Sequence, residues 1–586
     1  MDNEKRTLLA ITVSMGILLV YQVFFTPEPK KQEIQNPVNQ EESINISAPK
    51  SITPPVLNTQ KIAAETSNSY IPTDRAEDNI IIRTNMLTAV MTKYGARLKS
   101  IKLNNYKERI KPPAIVNLKN KFFSSKNKKL APEDLEESKE ILYPEKNPFD
   151  MPLRASFITQ DGTIYPDSNW SVSSDASNQN LNFTQNNPEK LTIQKILQFN
   201  DDDYRINFTL KFKNDTNQTQ SGSGFVEWAA PLPVGKSGGL FGAAAISDVP
   251  RFSYFINDEI EKKNLADIEE EIIIEGKVAW TAVEEKYFTS TLVPLSENPA
   301  QVRASKKNED TVTYKLMYPF ISLNPGEEKT YTFFLYIGPK DIDILSSQNA
   351  LLEKTIDFGW FDIIAKPLLL SLKYFYKYIG NYGLAIILIT IIIKILFWPL
   401  ANKSFKSMKG MQNIQPEIAK LKEKHADNKE EFAKAQMALY KQYNVNPLGG
   451  CLPMLLQIPV FISLYRVLAD SIELRHADFI TFWINDLSAK DPTYIAPLLM
   501  GASMFLQQKM TPSAADPTQA KMMMFMPLIF TVMFLSFPSG LVIYWLLNNV
   551  LSIAQQLYIN KKSNVPGGNE CSPSKPKQKQ SKKQLK

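Results

Sequence analysis

From Gly380 to Leu400 the chain reads GNYGLAIILITIIIKILFWPL, an apolar run interrupted by one ammonium group at Lys394. About 20 apolar residues in a helix cross the ~30 Å of hydrocarbon in a bilayer, so this run constrains the chain to be a membrane protein. A lysine inside such a span costs roughly 2.5–3.5 kcal/mol on insertion scales and needs a reason. Two reasons are available. Lys394 lies six residues before Leu400, about 9 Å at 1.5 Å per residue, so its stem can carry the charge to water at the cytoplasmic end. Alternatively, the charge faces a wet cavity between helices and meets a polar or acidic ligand there.

The 586 residues divide sharply in composition. Residues 26–350 are polar and rich in Asn, Lys and Glu, whereas the apolar mass sits at the N-terminus and after residue 356. The net charge of +7 is modest, and its placement carries more information than its size. Two cysteines, Cys451 and Cys571, supply no disulfide framework, so the polar region must be held by its own core.

Lys5 and Arg6 precede the apolar segment Thr7–Phe25, which is 19 residues long and lacks a small-x-small cleavage site after it. Residues 1–25 therefore read as an uncleaved signal anchor with its N-terminus in the cytoplasm. The internal Leu448-Gly449-Gly450-Cys451 resembles a lipoprotein box, but it does not follow an N-terminal signal and reads as coincidence. Residues 26–78 are too poor in apolar side chains to fold and form a tether. Residues 79–350 carry short β-favouring runs such as Arg205–Phe212 (RINFTLKF) and Lys329–Ile337 (KTYTFFLYI), punctuated by Tyr94-Gly95 and Asn324-Pro325-Gly326. Alternating apolar and polar residues between turn signals point to an all-β sandwich. Catalysis there would need an acid and a base near neutral pH, for which histidine is the usual source. The only histidines, His425 and His476, lie elsewhere, leaving carboxylates such as Glu284-Glu285 or Asp201-Asp202-Asp203, which read more simply as solvated surface.

Residues 357–378 mix aromatics with Asp362, Lys366, Lys373 and Lys377, as an amphipathic helix in the membrane interface does. Further apolar stretches follow at Pro447–Leu468, Asp491–Gln508, Met522–Phe537 and Gly540–Ile559, and Met522–Phe537 is short at 16 residues. Polar residues within them, among them Gln457, Asn548, Asn549, Gln555 and Gln556, must face other helices or water. Residues 401–446 hold nine lysines and the tail after Ile559 holds eight, whereas Ala469–Lys490 carries four acids against Arg475 and Lys490. Positive loops stay inside. The chain thus reads as a polytopic α-helical membrane protein with six transmembrane helices, both termini cytoplasmic and a large all-β periplasmic domain. Residues 379–560 form a five-helix core. Within it, apolar spacing at Met411, Ile414, Ile418 and Leu421, a break at His425–Asn428 and resumption at Phe432 give a cytoplasmic helical hairpin over 401–446. The tail, residues 561–586, is basic and expected to lack structure, and with the hairpin it offers charge to lipid headgroups or ribosomal RNA.

The segments GNYGLAIILITIIIKILFWPL, LYKQYNVNPLGGCLPMLLQIPVF, WINDLSAKDPTYIAPLLMG, MMMFMPLIFTVMFL and FPSGLVIYWLLNN resemble the bacterial YidC membrane-protein insertases of the Gram-negative type. The resemblance implies a periplasmic β-supersandwich without established catalysis. It also implies a positively charged hydrophilic groove, open to cytoplasm and lipid, through which nascent membrane proteins enter the inner membrane alone or with the Sec translocon. On this resemblance Lys394 and Thr390 line the groove, while Phe461, Tyr544 and Trp545 form the slide for an apolar substrate segment. The implied partners are nascent membrane proteins, the Sec translocon, the ribosome and membrane lipids. The family usually has arginine where this chain has Lys394. Arginine is permanently charged and bidentate, whereas lysine can lose its proton when desolvated. No GxxxxGK[ST] loop occurs, so no nucleotide is expected, and no cofactor or metal is expected either. A small-solute transporter would call for ion-coordinating acids in the spans or an inverted repeat, and neither is visible.

Overall fold

The computed structural model describes residues 79–563 apart from 111–112, 116–136, 143–149, 166–167, 176–178, 186–190, 233–249, 426–427, 444, 446–451 and 511–516. The anchor, the tether, the lipoprotein-like box and residues 564–586 of the tail lie outside the described residues. The expected count of six spans includes the anchor and so extends beyond them.

Strands run from Asn79–Arg83 to Glu328–Pro339. They form a nine-stranded sheet, a six-stranded sheet and a smaller four-stranded sheet that begins at Asn79. All described pairings between strands are antiparallel, as Phe208↔Phe333 and Thr209↔Thr332 illustrate. Arg205–Lys213 follows the alternation its sequence predicts, with Ile206, Phe208, Leu210 and Phe212 buried. The middle of the six-stranded sheet is Gln220–Pro231, paired with Thr311–Met317 and Ile321–Leu323 on one side and with Arg154–Thr159 on the other. Aromatic rings join the two large sheets: Phe157 lies 5.4 Å from Phe212 and Tyr318 lies 3.9 Å from Tyr331 between centroids. Close approach needs a glycine here, because a Cβ at Gly224 would stand 2.6 Å from Phe212 Cε2. The result is a sandwich whose core is apolar and aromatic.

Among the described residues the helices are α1 (Ile342–Ser347), α2 (Asp362–Ile379), α3 (Tyr382–Asn413), α4 (Gln415–Lys424), α5 (Lys429–Gln442), α6 (Leu452–Asp470), α7 (Ile495–Met510), α8 (Pro517–Phe534) and α9 (Ser539–Ser563). Helix α9 packs between α3 and α7, α8 packs on α7, and α2 lies against α3 and α6. Their outward faces expose Ile395 and Leu396 of α3, Leu498 and Phe505 of α7, Leu528 and Ile529 of α8 and Leu557 of α9. Water is a poor solvent for such a surface, and hydrocarbon suits it. Among the described residues α3 is long and apolar enough to cross a membrane, and Met524–Phe534 is a shorter apolar piece. Helix α2 leaves Ile363, Tyr374 and Tyr378 outward, and just before it Trp360 is 99% exposed, the aromatic face expected of an interfacial helix.

The hairpin follows its sequence pattern. Helix α3 continues through Pro399 to Asn413, Ile414 bends the chain, and α4 and α5 run on either side of the break at His425. Tyr443 Oη donates to Glu417 at 2.5 Å and His425 meets Glu431 at 3.2 Å, tying the two arms together.

Candidate insertion site

The site is built on α3 and α9. Helix α2 ends at Gly380, whose φ of 70° is the left-handed conformation that glycine adopts without strain. Asn381 then caps α3 by accepting from the Leu384 amide at 3.0 Å, and its own amide group donates to Phe479 O at 3.1 Å. Gly383 permits this fit: a Cβ there would lie 2.1 Å from Phe479 Cδ2. The start of α3 is therefore fixed against the loop that follows α6.

Three turns further along α3, Lys394 Nζ donates to Asn548 Oδ1 at 3.0 Å and to Ser552 Oγ at 2.6 Å on α9. Among the described residues no carboxylate forms an ion pair with it. The polar line continues, as Gln555 Nε2 donates to Asn402 Oδ1 at 3.0 Å. Trp545, Asn548, Ser552 and Gln555 are spaced 3-4-3 and so share one stripe of α9. A neighbouring stripe turns to α7, where Asn549 Nδ2 donates to Ser503 Oγ at 3.1 Å and Gln556 Nε2 to Met510 O at 2.6 Å. The polar residues of this helix thus face helices on two sides.

The aromatic residues gather toward the N-terminal end of α9. Phe461 lies 4.8 Å from Trp545 in an edge-on arrangement, and Phe534 lies 5.4 Å from Trp545. Phe461 and Trp545 are partly exposed. Tyr544 is not presented in the same way: it is 1% exposed, and its hydroxyl is bonded to Gln457. Thr390 also differs from its expected place facing water. It is 2% exposed and donates to Ile386 O at 2.7 Å within its own helix. A β-hydroxyl on an apolar helix satisfies itself on the preceding turn when no better acceptor is near.

Asn548 and Ser552 escaped sequence reasoning as partners of Lys394. Their four-residue spacing was a usable signal, but nothing local says which helix they face. The acidic pairs of the β domain also find structural roles. Glu284 is buried between Lys340 at 2.9 Å and Lys262 at 3.5 Å. Burial alone would raise its carboxyl, but the two ammonium groups outweigh that and lower it, holding it ionised. Asp201 and Asp202 sit in an exposed turn and accept from Gln179 and Asn85. Asp203 accepts from Gln348.

Two family models divide the chain between them: "YidC periplasmic domain" matches residues 79–371 and "60Kd inner membrane protein" matches residues 374–566. The membrane protein insertase YidC of Syntrophus aciditrophicus is 40% identical over 580 residues, covering 96% of this chain and all of the relative. That of Pelobacter propionicus is 41% identical over 572 residues, covering 95% of this chain and 99% of the relative. The chain belongs to the YidC family of membrane protein insertases. A crystal structure of an active YidC insertase, with its first transmembrane domain resolved, aligns over 82% of this chain and 92% of its own at 16% identity and a TM-score of 0.34. As a family member the chain is an inner-membrane protein with a periplasmic β domain, and its function is to insert membrane proteins.

Proposed function

We propose that the insertion route is the α3–α9 face and that Lys394 is its receptor for polar or acidic substrate termini. The carrying observation is the ammonium group held between α3 and α9 by two neutral oxygens, with no carboxylate paired to it among the described residues. Neutral acceptors orient the charge but leave it uncompensated, so an incoming carboxylate gains an attraction that water would otherwise screen. A nascent helix enters from the cytoplasm with its short polar end toward Lys394, and the cost of desolvating that end falls part-way across. Its apolar part meets Phe461, Trp545 and lipid, and transfer at ~25 cal/mol per Å² drives it outward. Thr390 and Tyr544 support this face from within the packed helices. Burial and the membrane potential supply the energy, with no catalysis and no nucleotide.

In this reading residues 1–25 anchor the chain, 26–78 tether the domain at 79–350, 357–378 lie in the interface, and 379–560 insert. Both termini are cytoplasmic. The hairpin and basic tail meet the ribosome and anionic lipid, and some clients arrive through the Sec translocon. Lys394 performs the work of the family's arginine as long as the face stays wet enough to keep it charged.

The test is insertion of a single-span client into proteoliposomes, scored by protease protection. Lys394→Met and Lys394→Glu should each lose insertion of an acidic-tailed client, Lys394→Glu more severely, while a client with a neutral tail is less affected. Normal insertion by both variants would reduce Lys394 to a snorkelling side chain.

A further inference from the structure

We infer that Lys373 is a positioning residue that locks the periplasmic domain, the interfacial helix and the insertion core into one body. Its ammonium group on α2 meets carboxylates from two other parts of the chain. Both oxygens of Asp341 stand at 3.1 Å and Asp343 Oδ2 at 2.7 Å, at the end of the β domain; Glu473 Oε1 stands at 3.2 Å, in the turn after α6. The Lys373 and Glu473 side chains are 18% and 5% exposed, so water competes weakly for the contact.

The end of α6 and the turn after it make two further ties. Arg475 donates to Lys107 O at 2.8 Å and Glu108 O at 3.2 Å of the β domain, and Tyr287 Oη donates back to Ala469 O at 2.9 Å. Domains joined by a tether move relative to one another unless an interface holds them. Here the interface is polar and specific, so it fixes one arrangement. The consequence reaches the insertion site. Gly380 and Asn381 join α2 directly to α3, and Tyr376 of α2 stacks on Tyr382 of α3 with centroids 3.9 Å apart and planes 7° apart. With α2 clamped in the interface, the depth of α3, and with it Lys394, is set by Lys373.

The test uses the full chain in proteoliposomes with both native cysteines replaced by serine. Spin labels at Ile273→Cys in the β domain and Ile495→Cys on α7, both at exposed positions, report the distance between the bodies. A fluorophore at lipid-facing Leu396→Cys, quenched by lipids labelled at different depths, reports the depth of α3. The parent chain and Lys373→Arg should give one narrow distance distribution and one depth. Lys373→Met should broaden the distribution about twofold or more, shift the depth, and lower insertion by up to roughly a hundredfold, since a displacement near 1 Å at a working site can cost that much. Asp341→Asn with Asp343→Asn removes the β-domain carboxylates while leaving Lys373 and Glu473 in place; asparagine still caps α1, so this double variant folds and should broaden the distance distribution as Lys373→Met does, which answers any objection that Lys373→Met merely misfolds. An unchanged distribution and depth in Lys373→Met, or an unchanged distribution in the Asp341→Asn, Asp343→Asn variant, overturns the inference. The depth and distance readouts are independent of what Lys394 does, so loss of the Lys394 reading would leave this result standing.

Discussion

Gly383→Ala is the most direct test of how α3 is seated. The new Cβ would lie 2.1 Å from Phe479 Cδ2, 2.5 Å from Cγ and 2.7 Å from Cβ, where carbon atoms prefer roughly 3.5–4.0 Å. Because Phe479 Cβ is among the obstructed atoms, turning the ring does not clear the clash, and the loop itself must move. That loop is held by Phe479 N to Ile484 O at 2.9 Å and by Asn381 to Phe479 O at 3.1 Å. Overpacking of this kind costs about 1–3 kcal/mol, and disturbing the Asn381 cap adds about 1 kcal/mol. Replacing glycine by alanine within a helix returns roughly 1 kcal/mol, so the net loss is about 1–3 kcal/mol. At roughly 2–4 °C per kcal/mol for a body of 150–250 residues, the melting temperature in detergent should fall by about 2–12 °C. It is measured by loss of the monodisperse size-exclusion peak after heating. Phe479→Ala should be partly epistatic, with the double variant losing less than the sum of the singles. An alanine variant that melts at or above the parent temperature would refute the argument, because helix propensity would then have outweighed the contact.

Three further outcomes follow from named contacts. Glu227 is buried; burial alone would raise its carboxyl, but Lys315 at 3.0 Å and Arg154 at 3.9 Å lower it from 4.5 to about 2. A depressed carboxyl contributes stability that is complete above its unfolded value and is lost as pH falls from 4.5 toward 2, here about 3 kcal/mol; Glu227→Gln should flatten the acid titration of tryptophan fluorescence over that window. Around Lys373, three carboxylates compete for one ammonium group, and burial raises the Glu473 carboxyl despite that neighbour. Ionisation of Glu473 therefore opposes folding as pH rises through its unfolded value, so Glu473→Gln should melt within about 1 kcal/mol of the parent while Lys373→Met loses about 3–5 kcal/mol. Asn548→Leu and Ser552→Ala each remove one acceptor from Lys394, worth roughly 1.5–3 kcal/mol for a bond to a charged group; both should lower the melting temperature and weaken insertion of acidic-tailed clients in the proteoliposome assay.

Much of the architecture is local and could be read locally. The period-two alternation of Arg205–Lys213 survives in its buried and exposed faces because each residue's side is fixed by the pleat. The 3-4 spacing before His425 and after Asn428 gives two helices because a face is a property of one helix alone. Lys394 declares itself because a charge within an apolar run is costly and stands out from its neighbours.

What the sequence determined by itself is therefore the solvent of each segment: hydrocarbon for α3 and water for the alternating strands. Transfer free energy depends on the residues of a segment and hardly on its neighbours. Only the tertiary structure decided the partners. Asn548 and Ser552 stand 154 and 158 positions from Lys394, and Lys373 draws together residues 341, 343 and 473. Thr390 shows the limit from the other side, since its own helix supplied the acceptor that its sequence neighbourhood left open. A hydrogen bond or ion pair between distant segments exists only once packing has brought them within about 3 Å, and no spacing along the chain encodes that distance.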